Sequence, residues 1–242
     1  MPGFFGRVNC YFHIEMTEPI HRSIRSFVLR KGRLTSAQLT ALNELWPHYG
    51  IESGETALDF NDHFGRSAQV ILEIGFGNGE STWQMAQIET DKNFVGVEVH
   101  EPGVGHLLMA LDKNGIDNVR IACEDAVPFI RQRIPAGSLA GVRIYFPDPW
   151  PKKRHHKRRI IQPGFVAQLA ERMAKDCILH LATDWQPYAE HMLAVMQSSP
   201  DFENLSPDGE YCDRPAWRPH TKYEARGEGL GHKVRDLLYR RS

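Results

Sequence analysis

Residues 145–159 read Tyr-Phe-Pro-Asp-Pro-Trp-Pro-Lys-Lys-Arg-His-His-Lys-Arg-Arg, an acid and an indole ring fixed among prolines and followed at once by a cationic tract. Pro147, Pro149 and Pro151 each lack an N–H and have a fixed φ, so the segment can neither extend a strand nor enter a helix. Asp148 is thereby held just beyond the apolar run 139–146, beside Trp150. In an open α/β sheet the C-terminal ends of the strands are where ligands bind. A rigid carboxylate, an aromatic face and a polyanion-binding run in one loop suit chemistry on a base within a nucleic acid. The bland alternative for Lys152, Lys153, Arg154, Lys157, Arg158 and Arg159 is a solvated face, but their place beside a rigid acid favours RNA. His155 and His156 have no partner ligands at metal spacing and read as RNA-facing or surface residues, so no metal is expected.

A second constellation is Glu73-Ile-Gly75-Phe-Gly77-Asn-Gly79, directly after an apolar run. Glycines permit a tight turn and close approach of a ligand to the backbone. The spacing is not the G-x-G-x-x-G that seats a pyrophosphate on a helix N-terminus, and an acid just before it would repel one. It suits a cofactor with cationic groups, such as the amino acid and sulfonium of S-adenosylmethionine. Glu98, in Gly-Val-Glu-Val-His, ends the next apolar run, where a carboxylate can accept from both ribose hydroxyls. Asp125, after the third run, could reach an adenine amino group. Acids at the ends of three successive strands, in that order, favour S-adenosylmethionine over nicotinamide.

The elements that must carry these residues alternate. Apolar runs at 70–74, 93–99, 119–122, 139–146 and 177–182 predict strands, with helices over 81–88, 103–113, 128–133 and 165–174 between them. A further helix is expected from Ser36 through Trp46, ended by Pro47. Short apolar strands separated by helices imply a parallel, doubly wound sheet. Residues 1–34 are polar and basic and read as a flexible arm, with 35–242 as one domain. Beyond residue 200 the chain is rich in Pro, Gly and charge, and its strands are hard to place. His180, inside the fifth run, reads as a satisfied core histidine.

The chain has 242 residues, 41% hydrophobic and 24% charged, enough for one sizeable core. Net charge is −1, so attraction to a polyanion must be local, in the tract above and in a second cluster of Arg22, Arg25, Arg30, Lys31 and Arg33. Cys10, Cys123, Cys177 and Cys212 lack CxxC spacing, which argues against disulfides or zinc and for a cytoplasmic protein. No apolar stretch is long enough to span a membrane, and the N-terminus has no secretory apolar core.

Taken together, Leu-Glu-Ile-Gly-Phe-Gly-Asn-Gly, Gly-Val-Glu-Val-His, the proline-basic run, Ala-Thr-Asp-Trp at 182–185 and Thr-Lys-Tyr-Glu at 221–224 resemble the bacterial tRNA (guanine-N7)-methyltransferase family, from residue 24 to 232. The resemblance implies a class I, Rossmann-like methyltransferase fold with a mostly parallel seven-stranded sheet, acting as monomer or homodimer on the variable-loop guanine 46 of tRNA. It implies S-adenosylmethionine contacts at Glu73, Glu98 and Asp125, around Gly75 and Gly77, and a catalytic acid at Asp148. It implies substrate contacts at Lys152, Asp184, Thr221, Lys222, Tyr223 and Glu224, and RNA binding over residues 154–159. Pro128 and Arg235 depart from the family pattern, which has an acid and an aromatic there.

The chemistry is consistent with those residues. Guanine N7 bears a lone pair and no proton, so no general base is required and positioning dominates. A fixed carboxylate stabilises the cationic purine that forms more than the neutral one. A carboxylate can also accept from guanine N1–H and the exocyclic amine; Asp148 and Asp184 could divide these two roles either way. Trp150 and Trp185 are either stacking surfaces or packing. The competing readings are a methyltransferase of small molecules or proteins, and a non-catalytic nucleic-acid-binding domain.

Overall fold

The computed structural model describes residues 25–28 and 32–242. Most of the expected N-terminal arm therefore lies outside the described residues, as do Arg22, Arg30, Lys31 and Cys10. The elements run α1 (Ser36–Glu44), α2 (Trp46–Tyr49), β1 (Gly50–Ile51), α3 (Phe60–Phe64), β2 (Val70–Ile74), α4 (Glu80–Ile88), β3 (Asn93–Val97) and α5 (Glu101–Asn114). They continue with β4 (Val119–Ala122), α6 (Ala126–Arg133), β5 (Leu139–Tyr145), a 3-10 turn (Lys153–Arg158), α7 (Pro163–Arg172) and β6 (Met173–Thr183). The chain ends with α8 (Gln186–Gln197), β7 (Phe202–Asn204), α9 (Lys222–Gly229) and β8 (Arg235–Arg241).

Among the described residues one sheet contains all the strands, in the order β1-β4-β3-β2-β5-β6-β8-β7. The pairs from β1 to β6 are parallel; β8 pairs antiparallel with both β6 and β7. The sheet has eight strands rather than the expected seven, the extra one being the two-residue β1 paired with β4. β3 and β4 lie on one side of β2, β5 and β6 on the other, so the chain crosses over between β4 and β5. That reversal opens a crevice at the C-terminal ends of β2 and β5.

The central strands are buried on both faces, which is why they read as largely apolar runs, interrupted by single buried polar residues such as Glu73 and Arg143. On β2, Val70, Leu72 and Ile74 pack with residues of α6, α7 and α8, while Ile71 packs with those of α1, α4 and α5. This is the two-residue alternation of a strand. Pro47 starts α2 instead of ending the preceding helix. Proline in a first turn lacks only an N–H that would be unpaired there anyway. α1 itself begins at a capping box in which Thr35, not Ser36, accepts from the Gln38 N–H. β6 begins earlier than the apolar run suggests, because Met173 already pairs with Leu139.

Candidate active site

The turn after β2 holds Gly75, Gly77 and Gly79 at φ of 71°, 58° and 74°, left-handed values that side chains disfavour. A Cβ on Gly103 of α5 would lie 2.1 Å from the Gly77 carbonyl oxygen, so that helix meets the turn backbone to backbone. Glu98, just past β3, secures the arrangement. Its Oε2 accepts from the Gly77 N–H at 2.9 Å, and its Oε1 accepts from Val99 and His100 at 2.7 and 3.0 Å. Asp125 caps α6, accepting from the Val127 N–H at 3.1 Å. Burial raises its pKa, offset in part by that bond and by the charge of Arg25.

Glu98 and Asp125 share one cavity with Glu124 and Asp148, floored by Ile74 and Ile144 and bordered by Ser26 and Phe27. Glu73 is not part of its lining. It is buried on the α4 side of the sheet, where the Thr82 hydroxyl donates to its Oε2 at 2.9 Å. Burial pushes its pKa up to about 7 despite the nearby Arg143. The structure thus brings two of the three strand-end acids together and sets the third behind them.

The proline loop leaves β5 with a backbone break at each end. Phe146 and Trp150 have φ of 50° and 47°, uncommon for residues with side chains. Between them Asp148 is exposed and faces the shared cavity. Trp150 is buried, and the Arg158 guanidinium lies 3.9 Å from its ring centroid, so it offers no open stacking face. Its Nε1–H donates to the Ser26 carbonyl at 3.0 Å, while Arg158 donates to those of Arg25 and Phe27, each at 3.0 Å. Loop and residues 25–27 are therefore tied together above the cavity.

The cationic run divides in two. Lys152, Lys153, Arg154 and Lys157 are exposed. Arg159 is 3% exposed and points inward, donating to the carbonyls of Pro149 at 2.9 Å and Pro187 at 3.3 Å over the Tyr188 ring. The sequence expectation of a continuous RNA-facing run fails at Arg159, which is built into the fold, and Arg158 beside it is partly engaged as well, through its bonds to residues 25 and 27. The prolines bar a helix only through Pro151, and a 3-10 turn starts beyond them. His156 Nε2 lies 3.2 Å from Arg159 Nη2, and His155 sits edge-on to Trp150. Desolvation and the cations Arg154, Arg158 and Lys152 lower the His155 pKa.

Asp184 follows β6, half-buried, with Oδ2 3.1 Å from His232 Nδ1. Trp185 beside it is exposed. Thr221 caps α9, accepting from the Glu224 N–H, and the Lys222 N–H donates to Glu80 Oε2 at 2.9 Å. The Tyr223 ring lies 5.1 Å from that of Phe146. Tyr223 is largely exposed; partial desolvation, then the charges of Asp184 and Asp148, raise its pKa. Glu224 departs from the expected substrate contact: it is 2% exposed and bound on both oxygens by the buried Arg218, at 2.6 and 2.7 Å. Arg218, Ser26 and Phe27 were not identified as site residues in the sequence, where an arginine in a polar loop looks like surface. Among the described residues, His220, Glu224 and Glu228 gather near α9, but Glu224's engagement with Arg218 leaves them poor ligands. Cys177 and Cys212 are free thiols.

A doubly wound sheet with a glycine turn after its first central strand and acids at the neighbouring strand ends defines a class I methyltransferase fold. In keeping with this, the 16S rRNA methyltransferase KamB superposes with a TM-score of 0.53 at 13% identity, covering 80% of this chain and 98% of that one. An rRNA methylase from Streptococcus thermophilus gives 0.50 at 10% identity, covering 72% and 87%. Residues 67–237 match the family described as "Putative methyltransferase". The tRNA (guanine-N(7)-)-methyltransferase of Alcanivorax borkumensis is 52% identical over 223 residues, 92% of this chain and 93% of that protein. The enzyme of the same description from Psychromonas ingrahamii is 52% identical over 91% of this chain and 90% of its own. The chain belongs to the tRNA (guanine-N7)-methyltransferase family.

Proposed function

We propose that this protein methylates N7 of guanine 46 in the variable loop of tRNA, using S-adenosylmethionine. The observation that carries the cofactor assignment is the cavity lining, to which Glu98, Glu124, Asp125 and Asp148 contribute four carboxylates. Such a surface suits a ligand with a sulfonium and an ammonium group and repels a pyrophosphate. S-adenosylmethionine, when bound, supplies a methyl group on a cationic sulfur that leaves readily by in-line displacement. Glu98 holds the ribose hydroxyls, Asp125 the adenine amine, and the backbone of Gly75 and Gly77 allows close approach.

On the acceptor side, Asp148 and Asp184 flank the place of the guanine. One accepts from N1–H and the exocyclic amine, which adenine cannot reproduce, and the other stabilises the positive charge that develops on the purine. The exposed Tyr223, packed on Phe146, offers the base a ring to stack on in place of the covered Trp150. Lys152, Lys153, Arg154 and Lys157 meet the tRNA backbone, where counterion release supplies affinity. No residue need remove a proton, because N7 has none. The chain works in the cytoplasm, without metal, as one methyltransferase domain over 35–242 preceded by a basic arm, and as monomer or homodimer.

A tRNA carrying 7-deazaguanine at position 46 tests the target atom. It keeps the Watson–Crick edge and is expected to bind like the unmodified tRNA while accepting no labelled methyl group. Undiminished methylation of the deaza substrate would contradict the N7 assignment.

A further inference from the structure

Behind the acceptor side lies a chain of buried polar groups that none of the reaction steps above uses. Arg218 is 1% exposed and grips Glu224 with two parallel N–H···O bonds of 2.6 and 2.7 Å. The same guanidinium donates to Asp236 Oδ2 at 3.0 Å, with Nε 2.7 Å from Oδ1. Asp236 in turn stands 2.7 Å from His180 Nε2, and His180 Nδ1 is 2.9 Å from the Tyr145 hydroxyl. Burial keeps both the imidazole and the phenol neutral, so His180 donates to Asp236 and accepts from Tyr145. The chain runs from β5 across β6 and β8 into α9, ending one residue from Tyr223.

Arg218 also lies 5.8 Å from the ring centroids of both Tyr145 and Phe146. Phe146 carries the first of the two positive-φ breaks that shape the Asp148 loop, and Tyr223 leans on its ring. A residue held at such a φ stays there only when its surroundings over-determine it. From these contacts we infer that Arg218 is a positioning residue for methyl transfer: by clamping Glu224 it presses Tyr223 onto Phe146 and fixes the loop that presents Asp148. This rests on the functional reading above. Glu224 then acts through Arg218 and α9, not by touching the tRNA.

The fork geometry makes the inference testable, because lysine keeps the charge but cannot hold both Glu224 oxygens at once. Arg218→Lys is expected to lower the single-turnover rate on tRNA at least tenfold, with cofactor affinity by calorimetry within twofold of wild type. Amide hydrogen exchange over residues 146–151 and 221–225 should quicken in the same variant while the central strands keep their protection. Arg218→Ala leaves Glu224 and Asp236 buried without a counter-charge and is a severe change. Where it folds, guanidinium should restore part of its rate and sodium chloride of equal ionic strength should not. A folded Arg218→Lys as fast as wild type, or one in which rate, cofactor affinity and strand protection fall together, would overturn the inference. Wild-type protein that transfers no methyl group to tRNA would overturn the functional reading itself, and this inference with it.

Discussion

The two halves of the sheet's ligand edge are built by different means. After β2, β3 and β4 the backbone does the shaping: left-handed glycines make the turn, and Glu98 and Asp125 are oriented by main-chain N–H groups. After β5 and β6 the shaping falls to buried side chains, with Arg218 joining Glu224 and Asp236 and Arg159 reaching the carbonyls of Pro149 and Pro187. Acids held by the main chain can be exchanged singly, each with its own consequence. Groups in a buried charge network cannot, since removing one leaves its partner uncompensated. On the proposed function, the cofactor half is thus a set of separate contacts and the acceptor half a cooperative unit.

Glu73 is the exception in the first half and gives the largest expected effect. Its ordinary value of 4.5 is pushed up to about 7 by burial, so the folded protein holds this proton more tightly than the unfolded chain does. The corresponding stability is fully present below about pH 4.5 and is lost as pH rises through about 7. The shift amounts to about 3 kcal/mol across that window. Glu73→Gln, which can still accept from Thr82, should remove this component, and urea unfolding at pH 5 and pH 8 measures it. An unchanged pH slope in the variant would return Glu73 to the set of simple, separately acting acids.

The basic run sharpens the same contrast at smaller magnitude. Replacing Lys153, Arg154 and Lys157 by glutamine should flatten the salt dependence of tRNA binding by roughly 0.7–0.9 log units per lost phosphate contact and leave folding stability unchanged. Arg159→Gln should do the reverse, keeping the salt slope and lowering stability by about 1.5–3 kcal/mol, the range for hydrogen bonds to a charged group. Equal slopes for both variants would erase the division between surface and structural cations.

The same division governs what could be read from the sequence. Strands at Val70–Ile74 and Val119–Ala122 coincide with their largely apolar runs, because all but one of their residues are buried. The glycine turn and Glu98 follow such runs within a few residues, so their place at one edge follows from the topology alone. The acceptor half has no such local signature. Arg218 and Glu224 sit in a polar, proline-rich stretch that resembles surface, and Asp236 is the second residue of a strand with arginines at both ends. Only the antiparallel return of β8 beside β6 brings Asp236 to His180 and makes those charges interior. For Trp150 the sequence leaves stacking surface and packing both open, and the cover supplied by Arg158, which decides for packing, appears only when the chain turns back on itself.

If cofactor binding and acceptor chemistry reside in separate halves, Asp148 should divide them, although it borders the shared cavity. Asp148→Ala, assayed by single-turnover methyl transfer to tRNA and by calorimetry with S-adenosylmethionine, is the most direct test. The rate is expected to fall about a hundredfold or more, about 2.7 kcal/mol of barrier, while cofactor affinity stays within about threefold. A rate loss below about tenfold, or an equal loss in cofactor affinity, would contradict Asp148 as the acid that acts on the guanine.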